Sequence, residues 1–354
     1  MNRKIRVMHI ISDMNFGGAG QYLRSIVDQL DKKAFEVTVV IPRGSILKQY
    51  IKEKNIIEVN GMADKSFSVG GTMSLVKPIK TFKPDVVHTH ASLSGRIAAQ
   101  MLGVKTIVYT KHTLSDHSNP VKNNVRLFLN KRLRAKVIAI SNAVEMNLLE
   151  EGIQQSDIVK IYNGVKPAHN VKPVHNKIPV ITLVGRLEPI KGQMHMILIV
   201  KILTAMTSKP FLVRFVGAGS MEAKLKAAVE QAGIQVEFTG HVEDIDIVYA
   251  NSDIIVNTSN SEALSYAAIE GMNMKKPVVA FDLPGINEVI DHEKTGYLVA
   301  FGDYKSFAAR LLDLIENPVL RNQMGEKGYN KILQVFTLDK MVKKIEAFYK
   351  EEGV

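Results

Sequence analysis

Short apolar runs alternate with longer amphipathic stretches along this chain, and the two periods predict its elements. Apolar runs at 6–11, 36–41, 86–89, 106–110 and 137–140 predict strands, and apolar positions recur at helical spacing over 20–30, 92–102, 121–134 and 143–151. Strands alternating with helices imply a parallel sheet joined by right-handed crossovers. The alternation then pauses. Residues 163–179 hold three prolines, two histidines and three asparagines with few apolar positions, the composition of a linker.

After the pause the strand pattern restarts at 180–184, 211–216, 236–238, 254–257 and 277–280, and the chain closes on helical periods at 306–316, 321–335 and 338–351. The pattern specifies an α/β chain of two tandem Rossmann-like domains facing a central cleft. The expected boundaries are 1–165, 166–335 and a terminal helix at 336–354. The two halves share a layout and no sequence repeat.

At 354 residues, each domain is long enough for its own core. A hydrophobic content of 46% with near-zero mean hydropathy fits a soluble globular protein. No run of about 18 apolar residues is present, and the first residues read as a strand and not as a cleavable leader. With no cysteine the chain has no disulfide, thiolate metal site or cysteine nucleophile, which fits a reducing cytoplasm. The net charge of +11 is uneven: residues 1–166 carry 25 Lys and Arg against 13 Asp and Glu, and the remaining 188 carry 21 against 22. The basicity belongs to the first half, which suggests an anionic partner there.

The most informative stretch lies between Ser259 and Glu288. Glu262 and Glu270 stand eight positions apart across an expected loop-to-helix junction, after the apolar run Ile254-Ile255-Val256. In an open α/β sheet such a junction faces the ligand crevice at the carboxyl ends of the strands. A helix starting near Ser265 would offer unpaired N–H groups at Leu264 and Ser265 to an anion. Glu262 would flank that anion, and Glu270 could reach a polyol such as ribose. This arrangement, with Pro277 to Ala280 and the Gly285 to Glu288 turn after it, resembles the Glu-x7-Glu signature of retaining GT-B glycosyltransferases, family 4 in particular (glycosyl transferases group 1). Ala263-Leu264-Ser265 and Gly285-Ile286 depart from the Gly-Phe-Pro and paired glycine of many members.

Further motifs fall in the order of that family. Gly185-Arg186-Leu187-Glu188-Pro189-Ile190-Lys191-Gly192 resembles its Gly-Arg-Leu-x-x-x-Lys-Gly element; Arg186 as a forked donor and Lys191 as a point charge suit a diphosphate. Gly17 and Gly18, in Asn15 to Gly20, match its loop contacting the acceptor and the distal phosphate, and their spacing lacks the Gly-x-Gly-x-x-Gly of dinucleotide sites. His112 resembles its active-site histidine beside the donor sugar. His88 and His90 are similar to an element at the bottom of the cleft, one expected toward the cleft and one toward the core. With no third ligand at suitable spacing, no metal is expected. The turns at Gly217 to Ser220 and Thr239 to Val242 resemble its nucleotide-base pocket, with tight turns as an equal explanation.

Residues 121–136 form a separate candidate. Val121, Val125, Phe128, Leu129 and Leu133 recur at helical spacing beside Lys122, Arg126, Lys131, Arg132, Arg134 and Lys136. A basic amphipathic helix suits an anionic membrane surface. Nucleic acid is not expected as a partner, with aromatic content only 6% and no binding motif.

The resemblance implies transfer of a sugar, with retention, from a nucleoside diphosphate sugar as co-substrate, most plausibly a UDP-sugar, to a cell-envelope, polysaccharide or lipid-linked acceptor. It implies Glu262 and His112 at the sugar, Glu270 at the ribose, Arg186 and Lys191 at the diphosphate, and no cofactor. Domain closure is expected, with 163–179 as the hinge and the last helix returning to the first domain. The expected place is the cytoplasm and the inner face of the cell membrane. Two rivals share the ligand: a UDP-sugar 2-epimerase-like isomerase, against which the string 185–192 argues, and a non-catalytic nucleotide-sugar binding protein.

Overall fold

The computed structural model describes residues 3–53, 55–90, 92–116, 118–168 and 176–353. The chain divides into two compact units, Met1–Asn163 with Leu338–Val354, and Gly164–Thr337. Within the expected linker, 169–175 lie outside the described residues.

The first unit runs β1 (Ile5–Ile11), α1 (Gly18–Gln29), β2 (Phe35–Pro42), α2 (Leu47–Tyr50), β3 (Ile56–Val59), α3 (Val69–Phe82), β4 (Val86–His90), α4 (Leu93–Met101), β5 (Thr106–Lys111), α5 (Pro120–Arg132), β6 (Lys136–Ala139), α6 (Asn142–Glu150) and β7 (Ile158–Lys160). Its strands pair in parallel in the order β3-β2-β1-β4-β5-β6-β7. The strand order reverses at β1 and β4, so the carboxyl ends of those two strands form the switch point where ligands of open α/β sheets bind.

The second unit runs β8 (Val180–Val184), α7 (Gln193–Met206), β9 (Leu212–Val216), α8 (Glu222–Ala232), β10 (Glu237–Gly240), α9 (Ile245–Ala250), β11 (Ile254–Asn257), α10 (Tyr266–Asn273), β12 (Val278–Phe281), β13 (Gly296–Val299), α11 (Tyr304–Glu316) and α12 (Pro318–Val335). The sheet order is β10-β9-β8-β11-β12-β13, again parallel, with its switch point at β8 and β11. The last helix, α13 (Leu338–Gly353), belongs to the first unit. It buries Met341, Val342, Ile345, Phe348 and Tyr349 in one core with Val7, Tyr22 and Phe35. Each such side chain taken from water contributes about 1.5–3 kcal/mol, which is what ties a sequence-distant helix to β1.

Several elements escape the apolar pattern for identifiable reasons. Helix α7 is apolar even where exposed, at Met194, Leu198 and Met206, so its period is hidden. Helix α3 contains Gly70, Gly71 and Pro78, all breakers on paper. Ser68 caps it by accepting from the Gly71 N–H at 2.9 Å. Strands β3, β7 and β13 are three or four residues long at or near sheet edges, too short to show alternation.

Candidate functional site

At the switch point of the second unit, two sequence-distant strings meet. Lys191 follows β8 in a single 3-10 turn and Glu262 follows β11; Lys191 Nζ lies 2.6 Å from Glu262 Oε1. The same oxygen accepts from Ser259 Oγ at 2.8 Å and Asn257 Nδ2 at 3.2 Å. Glu262 is buried, so this charge is held by a cation and two neutral donors, as a buried carboxylate requires. Its other oxygen, Oε2, accepts no hydrogen bond among the described residues, which leaves a carboxylate acceptor for a ligand hydroxyl.

Backbone shape makes the meeting possible. Gly192 has φ +63°, and a Cβ there would stand 1.9 Å from the Thr258 carbonyl oxygen. Thr258 Oγ1 in turn donates to the Gly192 carbonyl at 2.9 Å. At Gly285, φ +88°, a Cβ would stand 2.4 Å from the Ala263 carbonyl oxygen, and Ile286 beside it is buried, so the second residue of that turn packs in the core. Arg186 is exposed, and its guanidinium makes no hydrogen bond or ion pair among the described residues; its carbonyl accepts from Gln193 Nε2 at 2.9 Å.

Helix α10 begins as the sequence predicts. Ser265 is its N-cap and accepts from the Ala268 N–H at 3.3 Å, while Asn257 Nδ2 donates to Ser265 Oγ at 2.9 Å. Leu264 and Ser265 are buried at this helix start. Glu270 sits one turn along, where Tyr249 OH donates to its Oε2 at 2.8 Å. Burial, and then the Glu270 carboxylate, holds the Tyr249 phenol well above its usual range, so it stays a donor.

The expected base-pocket turns are stitched to these loops. Gly217 N–H donates to the Gly240 carbonyl at 2.8 Å, Leu187 N–H to that of Ala218 at 3.0 Å, and Ser220 Oγ to Glu188 at 2.7 Å. Val242, after β10, is half-buried.

Sequence reasoning missed three contributors here. Asn257, the last residue of β11, links Glu262 to Ser265; an amide closing an apolar strand was the available signal. Tyr249 carried none. His195, in the first turn of α7, bonds Tyr304 OH at 2.9 Å and Asn260 Oδ1 at 2.8 Å and so pins the loop beside Glu262.

In the first unit, Gly17 is the N-cap of α1 and Gly18 its first residue, and no side chain caps that helix. Gly17 ends the loop after β1 and Gly18 opens the helix. The histidines correct the sequence reading. His88 and His90 do not divide between cleft and core: both are fully buried with ring centroids 4.4 Å apart, because strand side chains two positions apart share a face. A third histidine missed in the sequence, His9 on β1, lies in register with His88, and nitrogens of His9, His88 and His90 fall within 4.8 Å of one another. His88 is engaged on both nitrogens, by Tyr349 OH and by Thr110 Oγ1 at 2.7 Å. His112 is half-buried after β5, with Nε2 3.5 Å from His90 Nδ1 and its ring edge-on to Tyr22 at 4.9 Å. Burial pushes its imidazole down to about 3.

The basic segment is also redrawn. Helix α5 ends at Arg132, so Arg134 and Lys136 leave its face; Lys136 starts β6 and pairs with Asp157 at 3.2 Å. Asn119 caps the start, which Pro120 then opens. Arg126 lies 3.3 Å from Glu151, a buried carboxylate that also holds Lys111 at 2.6 Å. No residue of α5 is buried, and Val121, Val125 and Phe128 are 73%, 53% and 64% exposed beside Lys122, Lys131 and Arg132.

Two Rossmann-like units, the second bearing a lysine–glutamate pair and a capped helix at its switch point, define the two-domain α/β fold of the GT-B class. The family model described as glycosyl transferases group 1 matches residues 166–331, and that of glycosyltransferase family 4 matches 16–169. The chain belongs to this family of glycosyltransferases. It is 26% identical to the Escherichia coli UDP-Gal:alpha-D-GlcNAc-diphosphoundecaprenol alpha-1,3-galactosyltransferase, covering 98% of this chain and 97% of that protein. It is 24% identical to the capsular polysaccharide biosynthesis glycosyltransferase CapM of Staphylococcus aureus, covering 92% and 93%. Among solved structures, Anabaena HepE in complex with UDP and glucose superposes with a TM-score of 0.84 at 20% identity, over 98% of this chain and all of that one. No described helix is long and apolar enough to cross a membrane.

Proposed function

We propose that this protein transfers a sugar from a UDP-sugar to a lipid-linked or other cell-envelope acceptor, with retention of configuration at the transferred carbon. The observation that carries the reading is the Lys191–Glu262 pair at the β8–β11 switch point, with Glu262 Oε2 unengaged. A uridine diphosphate donor is supported by the activity that names the Escherichia coli relative and by the ligand of the Anabaena structure, and the acceptor class by the names of the two bacterial relatives.

Chemically, the step breaks the bond between the anomeric carbon and the diphosphate, so negative charge grows on the leaving oxygen and positive charge on the sugar ring. Arg186, Lys191 and the start of α10 stabilise the diphosphate as it leaves. Glu262 orients a sugar hydroxyl through Oε2 and lends negative potential to the cationic ring. Glu270, fixed by Tyr249, binds the ribose. The family resemblance assigns the acceptor proton to the departing phosphate on the same face, so the new bond forms where the old one broke. His112 joins Glu262 at the donor sugar, and the first unit supplies the acceptor side through Gly17 and Gly18. Its exposed Val121, Val125 and Phe128 beside Lys122, Lys131 and Arg132 give it an anionic-membrane docking face, consistent with a lipid-linked acceptor.

A donor screen monitored by UDP or GDP release, with product stereochemistry read by NMR, tests this. UDP release with the anomeric configuration of the donor kept in the product is expected. Inversion overturns the stereochemical assignment, and conversion of a UDP-sugar without acceptor replaces transfer by isomerisation.

A further inference from the structure

Two fully buried histidines of the first unit, His9 and His90, which the proposed chemistry does not use, form a chain that ends at the half-buried His112. His9 Nδ1 lies 3.1 Å from His90 Nε2, and His90 Nδ1 lies 3.5 Å from His112 Nε2. The three rings stack in sequence, with centroids 5.4 and 5.8 Å apart and interplanar angles of 16° and 26°. Burial pushes His9 and His112 down to about 3 and His90 well below its usual range, so all three are neutral at pH 7 and each carries one N–H.

A neutral imidazole has one donor nitrogen and one acceptor nitrogen. A proton on one ring therefore dictates the next. The chain has two consistent settings, with all protons on Nδ1 or all on Nε2. His9 decides between them. Its Nε2 is fully buried and has no hydrogen-bond partner among the described residues. A buried N–H without an acceptor is the rarer defect, and a bare ring nitrogen the more tolerable one. His9 then keeps its proton on Nδ1 and donates to His90 Nε2; His90 Nδ1–H donates to His112 Nε2; and the His112 proton is left on Nδ1.

We propose that His9, through His90, sets the tautomer of His112 and so makes its free nitrogen, Nδ1, a hydrogen-bond donor to an oxygen of the bound substrate. The functional half rests on the reading above that His112 touches substrate; the tautomer itself does not. His9 and His90 are positioning residues, contributed by β1 and β4 to a histidine just past β5. A substrate group that can only donate is refused at this point, and one that accepts, such as a hydroxyl or carboxylate oxygen, is favoured.

Long-range nitrogen–proton correlation NMR on the 15N-labelled full chain at pH 7.5 reads the tautomer directly, with the His112 signals assigned from His112→Gln. A protonated Nδ1 and bare Nε2 at His112 are expected; a protonated Nε2 overturns the proposal, and this readout needs no variant of His9 or His90 to fold. In His9→Leu, the His112 signals should shift toward a mixture of tautomers and kcat/KM should fall about tenfold, the worth of one misdirected hydrogen bond. His9→Asn, whose amide nitrogen replaces Nδ1, should restore both, which a purely structural role for His9 would not. A metal ion retained by the wild-type protein after chelation would also overturn the proposal, since it would occupy the lone pairs the chain uses. Unchanged kcat/KM in His112→Ala alongside the expected tautomer would sink the substrate reading of His112 alone, which separates the two failures.

Discussion

Lys191 and Glu262, 71 positions apart in sequence, meet at 2.6 Å at the carboxyl ends of β8 and β11. The lysine has two tasks there. It neutralises a buried carboxylate in the free protein, and in the proposed mechanism it also faces the donor diphosphate.

Replacing Lys191 by alanine removes both, and Arg186→Ala removes the exposed forked donor beside it. Either change should lower kcat/KM about a hundredfold or more, because the interaction strengthens as leaving-group charge develops. Steady-state UDP release checks it. Activity within a few-fold of wild type would remove these residues from the phosphate role.

The two glutamates should separate kinetically. Glu270→Ala should raise the donor Kd, measured by calorimetry, while Glu262→Ala should depress turnover at saturating donor. Tyr249→Phe takes from Glu270 one hydrogen bond and should weaken donor binding several-fold, on the order of 1 kcal/mol. An unchanged donor Kd in Glu270→Ala would contradict the ribose assignment.

Gly192→Ala places a methyl 1.9 Å from a backbone oxygen at a φ of +63°. The left-handed conformation alone costs roughly 1–2 kcal/mol for a residue with a Cβ, and the clash adds to it. Thermal unfolding should shift down and activity should fall with it, because Lys191 precedes this residue. Gly70→Ala, whose Cβ would meet nothing within 4 Å inside α3, should be neutral or slightly stabilising. Equal effects of the two substitutions would refute the packing argument.

Acid should weaken the first unit before its carboxylates titrate. Burial lowers His9 and His112 from 6.5 to about 3, and His88 and His90 well below 6.5. Between about pH 6.5 and the folded values the unfolded chain binds protons that the folded chain refuses, so stability is full above 6.5 and falls as pH drops. Each such histidine contributes a slope of up to about 1.4 kcal/mol per pH unit. Urea unfolding followed by hydrogen exchange in β1 and β4 should show the loss between pH 7 and 5. A flat profile there would mean the folded protein takes up these protons.

Vesicles with anionic lipid should bind the protein at low salt and release it as ionic strength rises, since the attraction is screened over about 10 Å at 0.1 M. Reversing Lys122, Lys131 and Arg132 to glutamate should abolish co-sedimentation and leave donor affinity intact, because the proposed diphosphate and ribose residues, Arg186, Lys191 and Glu270, belong to the other unit. Arg126 is left alone for its pairing with Glu151. Equal binding to neutral vesicles would count against an electrostatic docking face.

The motifs of the second unit were legible because they are local. Glu262, Ser265 and Glu270 sit on one loop and the helix it caps, the string from Gly185 to Gly192 follows one strand, and their resemblance to the family's motifs named them as candidates. The parallel α/β layout was legible for the same reason, since each strand and crossover declares itself within about 30 residues. Helix α7 and the short edge strands were not, because uniform apolarity or brevity erases the period.

What the chain order could not show is which sequence-distant side chains share a face. Only pairing of β1 with β4 sets His9 in register with His88, and only the following strand brings His112 to His90. Only the β8–β11 pairing puts Lys191 on Glu262 and leaves Oε2 unengaged. Tyr249 reaches Glu270 and Tyr349 reaches His88 from helices that carry no signal of either contact. The amino-acid sequence by itself determined the two-unit α/β layout through local periods and the family through short motifs. The tertiary structure decided which of those residues meet, which oxygen or ring nitrogen remains for a ligand, and that Lys136 joins a strand and not the basic helix, because hydrogen-bond partners and burial depend on neighbours across the sheet.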